Sequence, residues 1–101
     1  IPCEAIINEH PCVYRSALVG IRGEGDRYCR PVMIVELHKD MKINKEQVLL
    51  EVKSIAQNND CTSRIKHFLI HKSFPVDIRH NAKIFREKLA IWAQKKISFR
   101  R

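Results

Sequence analysis

Residues 31–37 read Pro-Val-Met-Ile-Val-Glu-Leu, a short and almost continuous apolar run. Such a run is typical of a β-strand that is covered on both faces. The run from 13 to 21 is also rich in β-branched and apolar residues, and a two-residue period predicts that four of them share one face: Val13, Ala17, Val19 and Ile21. The three glycines of the chain, Gly20, Gly23 and Gly25, lie close together in a charged stretch that ends at Arg30, which predicts a turn and hence a hairpin.

Three helices are predicted around these strands. A short one opens the chain and ends before Pro11, because proline disfavours a helical conformation at the residue that precedes it. Asn44 followed by Gln47 resembles a capping box, and apolar residues at helical spacing extend this second helix from about 45 to 57. A last amphipathic helix is predicted from about 82 to 95, with Asn81 as its N-cap.

The run from 65 to 71 predicts a third strand. The element order then indicates an α+β fold: a small three-stranded, largely antiparallel sheet with helices packed against it. With 101 residues, 45% of them hydrophobic, the chain is expected to form one compact domain, residues 1–101. A deep pocket for both a nucleotide and an organic substrate would consume much of so small a core, so a two-substrate reaction would need a further domain.

Several kinds of site are not expected. The chain begins at Ile1 without a leader-like segment, and no apolar run approaches the ~20 residues that cross a bilayer, so we expect a cytoplasmic domain cut from a longer protein at a domain boundary. The four cysteines show no C-x-x-C pair and are expected to be reduced thiols: Cys3, Cys12, Cys29 and Cys61. Neither His10 with Cys12 nor His67 with His71 has further ligands at metal-site spacing, so no metal is expected.

The formal charge of +8 would attract polyanions, including nucleic acid, an acidic membrane or a nucleotide. A basic nucleic-acid-binding module is therefore an alternative reading. It is disfavoured because four of the aromatic residues fall at predicted core positions and leave no stacking platform: Tyr14, Phe68, Phe85 and Trp92. An interaction domain without a catalytic role is a further alternative.

The segment from 73 to 89 places a charged loop before the last predicted helix. A lysine in the first turn of that helix is electrostatically unusual, because a helix N-terminus prefers anions. Exposed backbone N–H groups and four basic side chains are expected to attract an anion there: Arg79, His80, Lys83 and Arg86. On charge pattern alone, an ordinary surface lysine is an equal alternative.

The loop also resembles a known family. Phe74-Pro75 is followed by Asn81-Ala82-Lys83-Ile84, and then by Arg86 and Leu89; near the start, His10-Pro11-Cys12-Val13 precedes the first strand. These motifs are similar to those of the C-terminal domain of the acyl-adenylate-forming superfamily, which includes acyl-CoA synthetases, adenylation domains and luciferases. The resemblance covers nearly the whole chain. The amino-acid sequence of the loop is similar to that of the fatty-acyl ligase-like branch, which includes the β-lactone synthetases of olefin biosynthesis. Ala82 replaces the family's usual glycine, and the loop is about two residues longer than the common form.

The resemblance implies part of an ATP-dependent, AMP-forming acyl ligase. It implies that Lys83 is the catalytic residue of adenylation and that four further residues lie on the substrate and nucleotide side: Arg79, His80, Asn81 and Arg86. ATP with Mg²⁺, and a carboxylic acid substrate, in this branch a fatty acid, would bind mainly to an N-terminal domain of the same polypeptide. The small domain would swing between two half-reactions, would be inactive alone, and would need no nucleic acid partner. Coenzyme A, a carrier thiol or the substrate's own hydroxyl are the candidate acceptors.

Overall fold

The computed structural model describes residues 3–22, 30–39, 44–77 and 83–97. Within these ranges the chain forms three helices and five strands. Their bounds, in chain order, are α1 Cys3–Ile7, β1 Val13–Ile21, β2 Arg30–Leu37, α2 Lys45–Gln57, β3 His67–Ile70, β4 Val76–Asp77, β5 Lys83–Ile84 and α3 Arg86–Lys96.

The main sheet has three strands in the order β1-β2-β3. β1 and β2 are antiparallel over eight residue pairs, from Val13 opposite Leu37 to Ile21 opposite Arg30. β3 adds to β2 in parallel over four pairs, because α2 carries the chain back to the starting end of the sheet. The α+β architecture and the three-stranded sheet are confirmed; the sheet is mixed, and its longer ladder is antiparallel.

Helices cover both faces of this sheet, as the apolar composition of β2 predicted. On one face α1 and α2 pack over a cluster formed by Ile7, Val13, Met33, Val35, Leu37, Val48, Val52, Ala56, Ile65 and Phe68. On the other face α3 packs over a second cluster, formed by Ala17, Val19, Ile21, Val32, Ile34, Phe74, Leu89 and Ala93. Alternate residues of β2 serve opposite cores, so the central strand holds the two layers together.

A β-bulge near the start of β1 changes which face one residue uses. Val13 lies opposite Leu37 and Arg15 lies opposite Glu36, so Tyr14 has no partner of its own on β2. The extra residue reverses the alternation of side chains. The prediction that Val13 shares a face with Ala17 is therefore wrong: Val13 belongs to the α1–α2 core, whereas Ala17 belongs to the α3 core.

The local signals for α2 are confirmed. The Asn44 side chain accepts a hydrogen bond from the backbone N–H of Gln47 at 3.2 Å, and the helix runs from Lys45 to Gln57 as the sequence predicted. The helix stops at Asn58, whose φ of −86° is not left-handed. The start of the helix is thus fixed by the Asn44 side-chain cap, whereas its end has no left-handed residue at Asn58.

The start of α3 differs from the prediction. Val76 pairs with Ile84 and Asp77 with Lys83 in a two-pair antiparallel ladder, and the Phe85 N–H donates to the Pro75 carbonyl at 2.9 Å. The helix consequently begins at Arg86, with Phe85 as an N-cap that makes no side-chain hydrogen bond. The prediction of a helix from 82 capped by Asn81 is wrong, because the chain at Lys83 and Ile84 is engaged in strand pairing; Asn81 lies outside the described residues.

Two aromatic residues are more exposed than expected. Phe68 is buried and Trp92 packs partly buried on the α3 core, as predicted. Tyr14 is 54% exposed, because it is the unpaired residue of the bulge, and Phe85 is 37% exposed at the N-cap of α3. The prediction that Tyr14 and Phe85 occupy core positions is therefore wrong.

The carboxylate of Glu36 is buried on β2, with 2% of its side chain exposed. One of its oxygens, Oε1, accepts a hydrogen bond from Nε of Arg15 on β1 and another, at 3.2 Å, from the backbone N–H of Phe74. The Arg15 guanidinium also lies 4.9 Å from the ring centre of Tyr14 and 5.6 Å from that of Phe74. One buried charge thus joins the bulge, the central strand and the segment that leads to β4.

Replacing Arg15 by Ala is expected to lower the free energy of unfolding by about 3 kcal/mol, because it leaves the buried Glu36 carboxylate without its cation. The double variant Arg15→Ala/Glu36→Gln should be more stable than Arg15→Ala alone, since no buried charge is then left unpaired. Urea denaturation of the three chains measures both effects. Arg64→Ala, at an exposed position of the same charge, is the control, and an equal loss in Arg64→Ala and Arg15→Ala would contradict this role.

Candidate functional site

Lys83, for which the family resemblance implies a catalytic role, lies on β5, three positions before α3 begins. Its backbone is opposite Asp77 of β4, at the end of the two-pair ladder that adjoins residues 78–82. We call this ladder, Val76–Asp77 with Lys83–Ile84, the lysine hairpin. Arg79, His80 and Asn81, the predicted neighbours of Lys83, lie outside the described residues. The pairing within the hairpin therefore fixes the position of the Lys83 backbone.

The base of the lysine hairpin is attached to the α3 core. Phe74, just before the hairpin, is buried and bonds to Glu36 through its backbone N–H. Val76 and Ile84 pack partly buried against the same cluster, and Phe85 closes the base through its hydrogen bond to Pro75. Apolar packing and backbone hydrogen bonds on both strands hold the backbone of the lysine hairpin in place.

Arg86, a predicted anion-binding residue, is paired with a carboxylate. Its Nη2 lies 3.2 Å and 3.1 Å from Oε1 and Oε2 of Glu4 on α1. Glu4 Oε2 also accepts the backbone N–H of Leu18 on β1 at 2.8 Å. The first residue of α3 is thus tied to α1 and β1, and a direct role for Arg86 toward substrate or nucleotide stays a prediction.

His71 supports the turn into the hairpin, a role that its sequence position does not indicate. Its ring lies 4.5 Å from the ring of Trp92 and 5.9 Å from that of Phe74, measured between centroids. Burial lowers the pKa of His71, an effect that the negative charge of Glu36 partly opposes. Its Nδ1 accepts the Ser73 N–H at 3.0 Å, which leaves the proton of the neutral ring on Nε2.

The His10-Pro11 turn has a comparable role on the other face. His10 Nδ1 accepts the Cys12 N–H at 3.0 Å, and Nε2 lies 2.6 Å from Oε1 of Glu51 on α2. Hydrogen bonds from Gln47 and His10 lower the pKa of the exposed Glu51 carboxyl. The motif that carried part of the family resemblance therefore fixes the α1–β1 turn to α2.

The described ranges contain neither a candidate metal site nor a candidate membrane span. No three His, Cys, Asp or Glu side chains of those residues are arranged to hold a metal ion. No helix among them is both long enough and apolar enough to span a membrane. An open cavity of about 350 Å³ does lie beside the bulge, lined by polar and charged residues that include Arg15, His38 and Lys39.

Solved structures that resemble this fold include a CoA ligase and an acyl-CoA synthetase. An anthranilate CoA ligase in complex with anthranoyl-AMP matches 93% of this chain and 18% of its own, with a TM-score of 0.73 and 21% identity. An acyl-CoA synthetase from Brucella canis matches 93% of this chain and 17% of its own, with a TM-score of 0.70 and 19% identity. The chain has the fold of the C-terminal domain of the acyl-adenylate-forming ligases.

Sequence similarity narrows this class. No protein-family model matches the chain. An olefin β-lactone synthetase from Xanthomonas campestris is 46% identical over 89% of the chain, and one from Stenotrophomonas maltophilia is 41% identical over 96%. The chain belongs to the acyl-adenylate-forming superfamily, on the branch of the olefin β-lactone synthetases. It spans 16% and 17% of the length of these two relatives.

Arg86→Ala is expected to loosen the base of the lysine hairpin, because the tie between α3 and Glu4 is lost. Since the Arg86 side chain is half exposed, the change in unfolding free energy should be small, about 0.5 kcal/mol, and should shrink in high salt. Hydrogen exchange at the Phe85 amide, which bonds to Pro75, should become faster.

Glu4→Ala should cost more, about 1–2 kcal/mol, because the Leu18 N–H then also loses its acceptor. Lys95→Ala, an exposed substitution on the same helix, is the matched control. The positioning role of Arg86 is wrong if exchange at Phe85 is the same in Arg86→Ala and Lys95→Ala.

Proposed function

We propose that this chain is the mobile C-terminal domain of an ATP-dependent, AMP-forming acid ligase, and that Lys83 supplies the positive charge required for adenylation. The observation that carries the proposal is 46% identity with an olefin β-lactone synthetase over 89% of the chain. The likeness of fold to an anthranilate CoA ligase solved with anthranoyl-AMP is consistent with this class of chemistry.

The reaction needs a second domain. The chain spans about one sixth of its relatives, and its cavities of about 350 and 370 Å³ are open and near the lower limit for small-molecule pockets. We infer that ATP with Mg²⁺ and the carboxylic acid bind to the N-terminal domain of the same polypeptide, and that the present C-terminal domain contributes one wall of the cleft. The longer chain of the relatives is consistent with this division. In this branch the acid is proposed to be a fatty acid, and the enzyme to be cytoplasmic.

The chemical role of a lysine follows from the charges involved. In adenylation a carboxylate oxygen attacks the α-phosphorus of ATP, a P–O bond forms, and the bond to pyrophosphate breaks. Two anions must approach, and negative charge shifts to the leaving group. A compact ammonium group placed at these oxygens stabilises the transition state more than the separated reactants.

The position of Lys83 suits delivery of such a charge. Its backbone lies at the end of a short hairpin whose base is packed on the α3 core and hydrogen-bonded through Phe85. A rigid base fixes where the lysine enters the cleft, which is a requirement for a catalytic group. Because this lysine is on a separate domain, a rigid-body rotation would withdraw it before the second half-reaction.

The acceptor in that half-reaction is proposed to be the substrate's own hydroxyl. The relatives are named for a β-lactone product. A β-lactone is the internal ester of a 3-hydroxy acid, and it forms when the hydroxyl oxygen attacks the carbonyl carbon of the acyl-adenylate. AMP leaves with the electron pair of the broken C–O bond, and the hydroxyl proton passes to a base.

In the full-length ligase, Lys83→Ala is expected to slow adenylation by roughly 10²–10³-fold, as loss of one preorganised stabilising charge does. Binding of ATP should change much less, and preformed acyl-adenylate should be converted at a nearly normal rate. Pyrophosphate exchange measures the first step, and AMP release from the added adenylate measures the second. The 101-residue chain alone is expected to give no exchange.

Lys72→Ala and Lys95→Ala are the matched controls, since both lysines are exposed and described. A general loss of positive field would weaken every step modestly and would be mimicked by salt. If Lys83→Ala and the controls slow both half-reactions equally, Lys83 is only part of a basic surface.

The acceptor is tested with two acids that differ by one hydroxyl group. A 3-hydroxy fatty acid with ATP should release AMP and yield a lactone without any added thiol. The same acid without the hydroxyl should stop at the acyl-adenylate, so that pyrophosphate is released while AMP is not. Thiol-dependent AMP release from both acids would instead favour coenzyme A or a carrier thiol, and the hydroxyl proposal would be wrong.

A further inference from the structure

Two cysteines that are 58 positions apart in sequence meet on the α1–α2 face. Cys3 is the first residue of α1, and Cys61 lies in the turn that follows α2. The Cys3 thiol donates to the backbone carbonyl of Cys61 at 3.1 Å, and both residues are free cysteines. Nothing in the proposed ligase chemistry uses either of them.

The backbone around both thiols is fixed. The turn after α2 is held by Thr62, which is fully buried and donates to the Ala56 carbonyl at 2.6 Å, and by the Asn59 side chain, which donates to Ile55 at 2.8 Å. On the other side, Cys3 packs partly buried against the α1–α2 core. The approach of the two thiols is therefore built into packed structure.

The two thiols differ in access to solvent. Cys61 is exposed, whereas Cys3 is half-buried. Burial raises the pKa of the Cys3 thiol, and the neighbouring Cys61 thiol raises it further. An oxidant in solution therefore meets Cys61 first, and Cys3 is poised beside it as a second, protected thiol.

We propose that Cys3 and Cys61 form a reversible disulfide that links the start of α1 covalently to the turn after α2. A peroxide oxidises the Cys61 thiolate to a sulfenic acid, and the peroxide O–O bond breaks. The Cys3 sulfur then attacks the Cys61 sulfur, the S–S bond forms, and the hydroxyl leaves as water. In total two thiols lose two hydrogens and one peroxide gives two waters; a dithiol reductant reverses the change.

The disulfide would close a long loop, between residues 3 and 61, and would therefore restrict the unfolded chain more than the folded one. It also fixes α1, whose Glu4 is tied to Arg86 beside the lysine hairpin. The proposal is independent of the ligase assignment, because the bond is measured on the chain itself.

The test uses the 101-residue chain treated with hydrogen peroxide and then with dithiothreitol. We expect the four thiols to fall to two, the mass to fall by two hydrogens, and the melting temperature to rise by roughly 10 °C, with full reversal on reduction. Cleavage after glutamate separates Cys3 from Cys12 and identifies the joined peptides. The variant Cys12→Ser/Cys29→Ser should behave in the same way, and Cys61→Ser should show none of these changes.

Two results would overturn the proposal. One is a disulfide that joins Cys3 to Cys12 or Cys29 in place of Cys61. The other is trapping of the Cys61 sulfenic acid by dimedone in the folded chain without any disulfide, which would mean that Cys3 cannot reach it. Because Cys61 is exposed, Cys61→Ser should fold, and its circular dichroism and melting temperature in reductant verify that.

Discussion

The buried carboxylate of Glu36 holds together β1, β2 and the segment that precedes the lysine hairpin. Glu36 lies on the central strand, where an unpaired negative charge would be strongly destabilising, and two donors from distant parts of the chain satisfy it. Arg15 reaches it because the bulge places Arg15 opposite Glu36, and the Phe74 N–H reaches it from the segment between β3 and β4. Both partners are therefore constrained by the same charge, and the hairpin that starts two residues after Phe74 inherits this constraint.

The two cores give the domain two faces with different tasks. The α1–α2 face is secured by the His10–Glu51 contact and by the turn that holds Cys61. The α3 face carries the hairpin and its attachment through Arg86. Two connections join the faces: β2 contributes alternate residues to both cores, and Glu4 of α1 is paired with Arg86 of α3. A domain built in this way can move as a rigid body, which is what the proposed two-step reaction requires.

The sequence predicted the parts of the fold whose signals are local. β1 and α2 have the predicted bounds, because a run of β-branched residues and an Asn44 cap act within a few positions. The bulge was missed because one inserted residue leaves the composition unchanged while it reverses the alternation. The lysine hairpin was missed because two-residue strands have no periodicity, and its pairing depends on contacts with the α3 core. The catalytic role of Lys83 stays a prediction that only the family resemblance supports, since its charge pattern alone equally suited an ordinary surface lysine.

The outer edge of β1 is occupied by side chains from two helices. Glu4 of α1 accepts the outward N–H of Leu18, and the Gln94 side chain of α3 both accepts from Arg22 N–H at 3.1 Å and donates to Arg22 C=O at 2.7 Å. The amide of Gln94 thus imitates one residue of a neighbouring strand. An unprotected edge strand is a template for pairing with a second molecule and for aggregation. Because these backbone groups are already satisfied, the proposed domain movement could expose this edge to solvent without recruiting another copy of the domain.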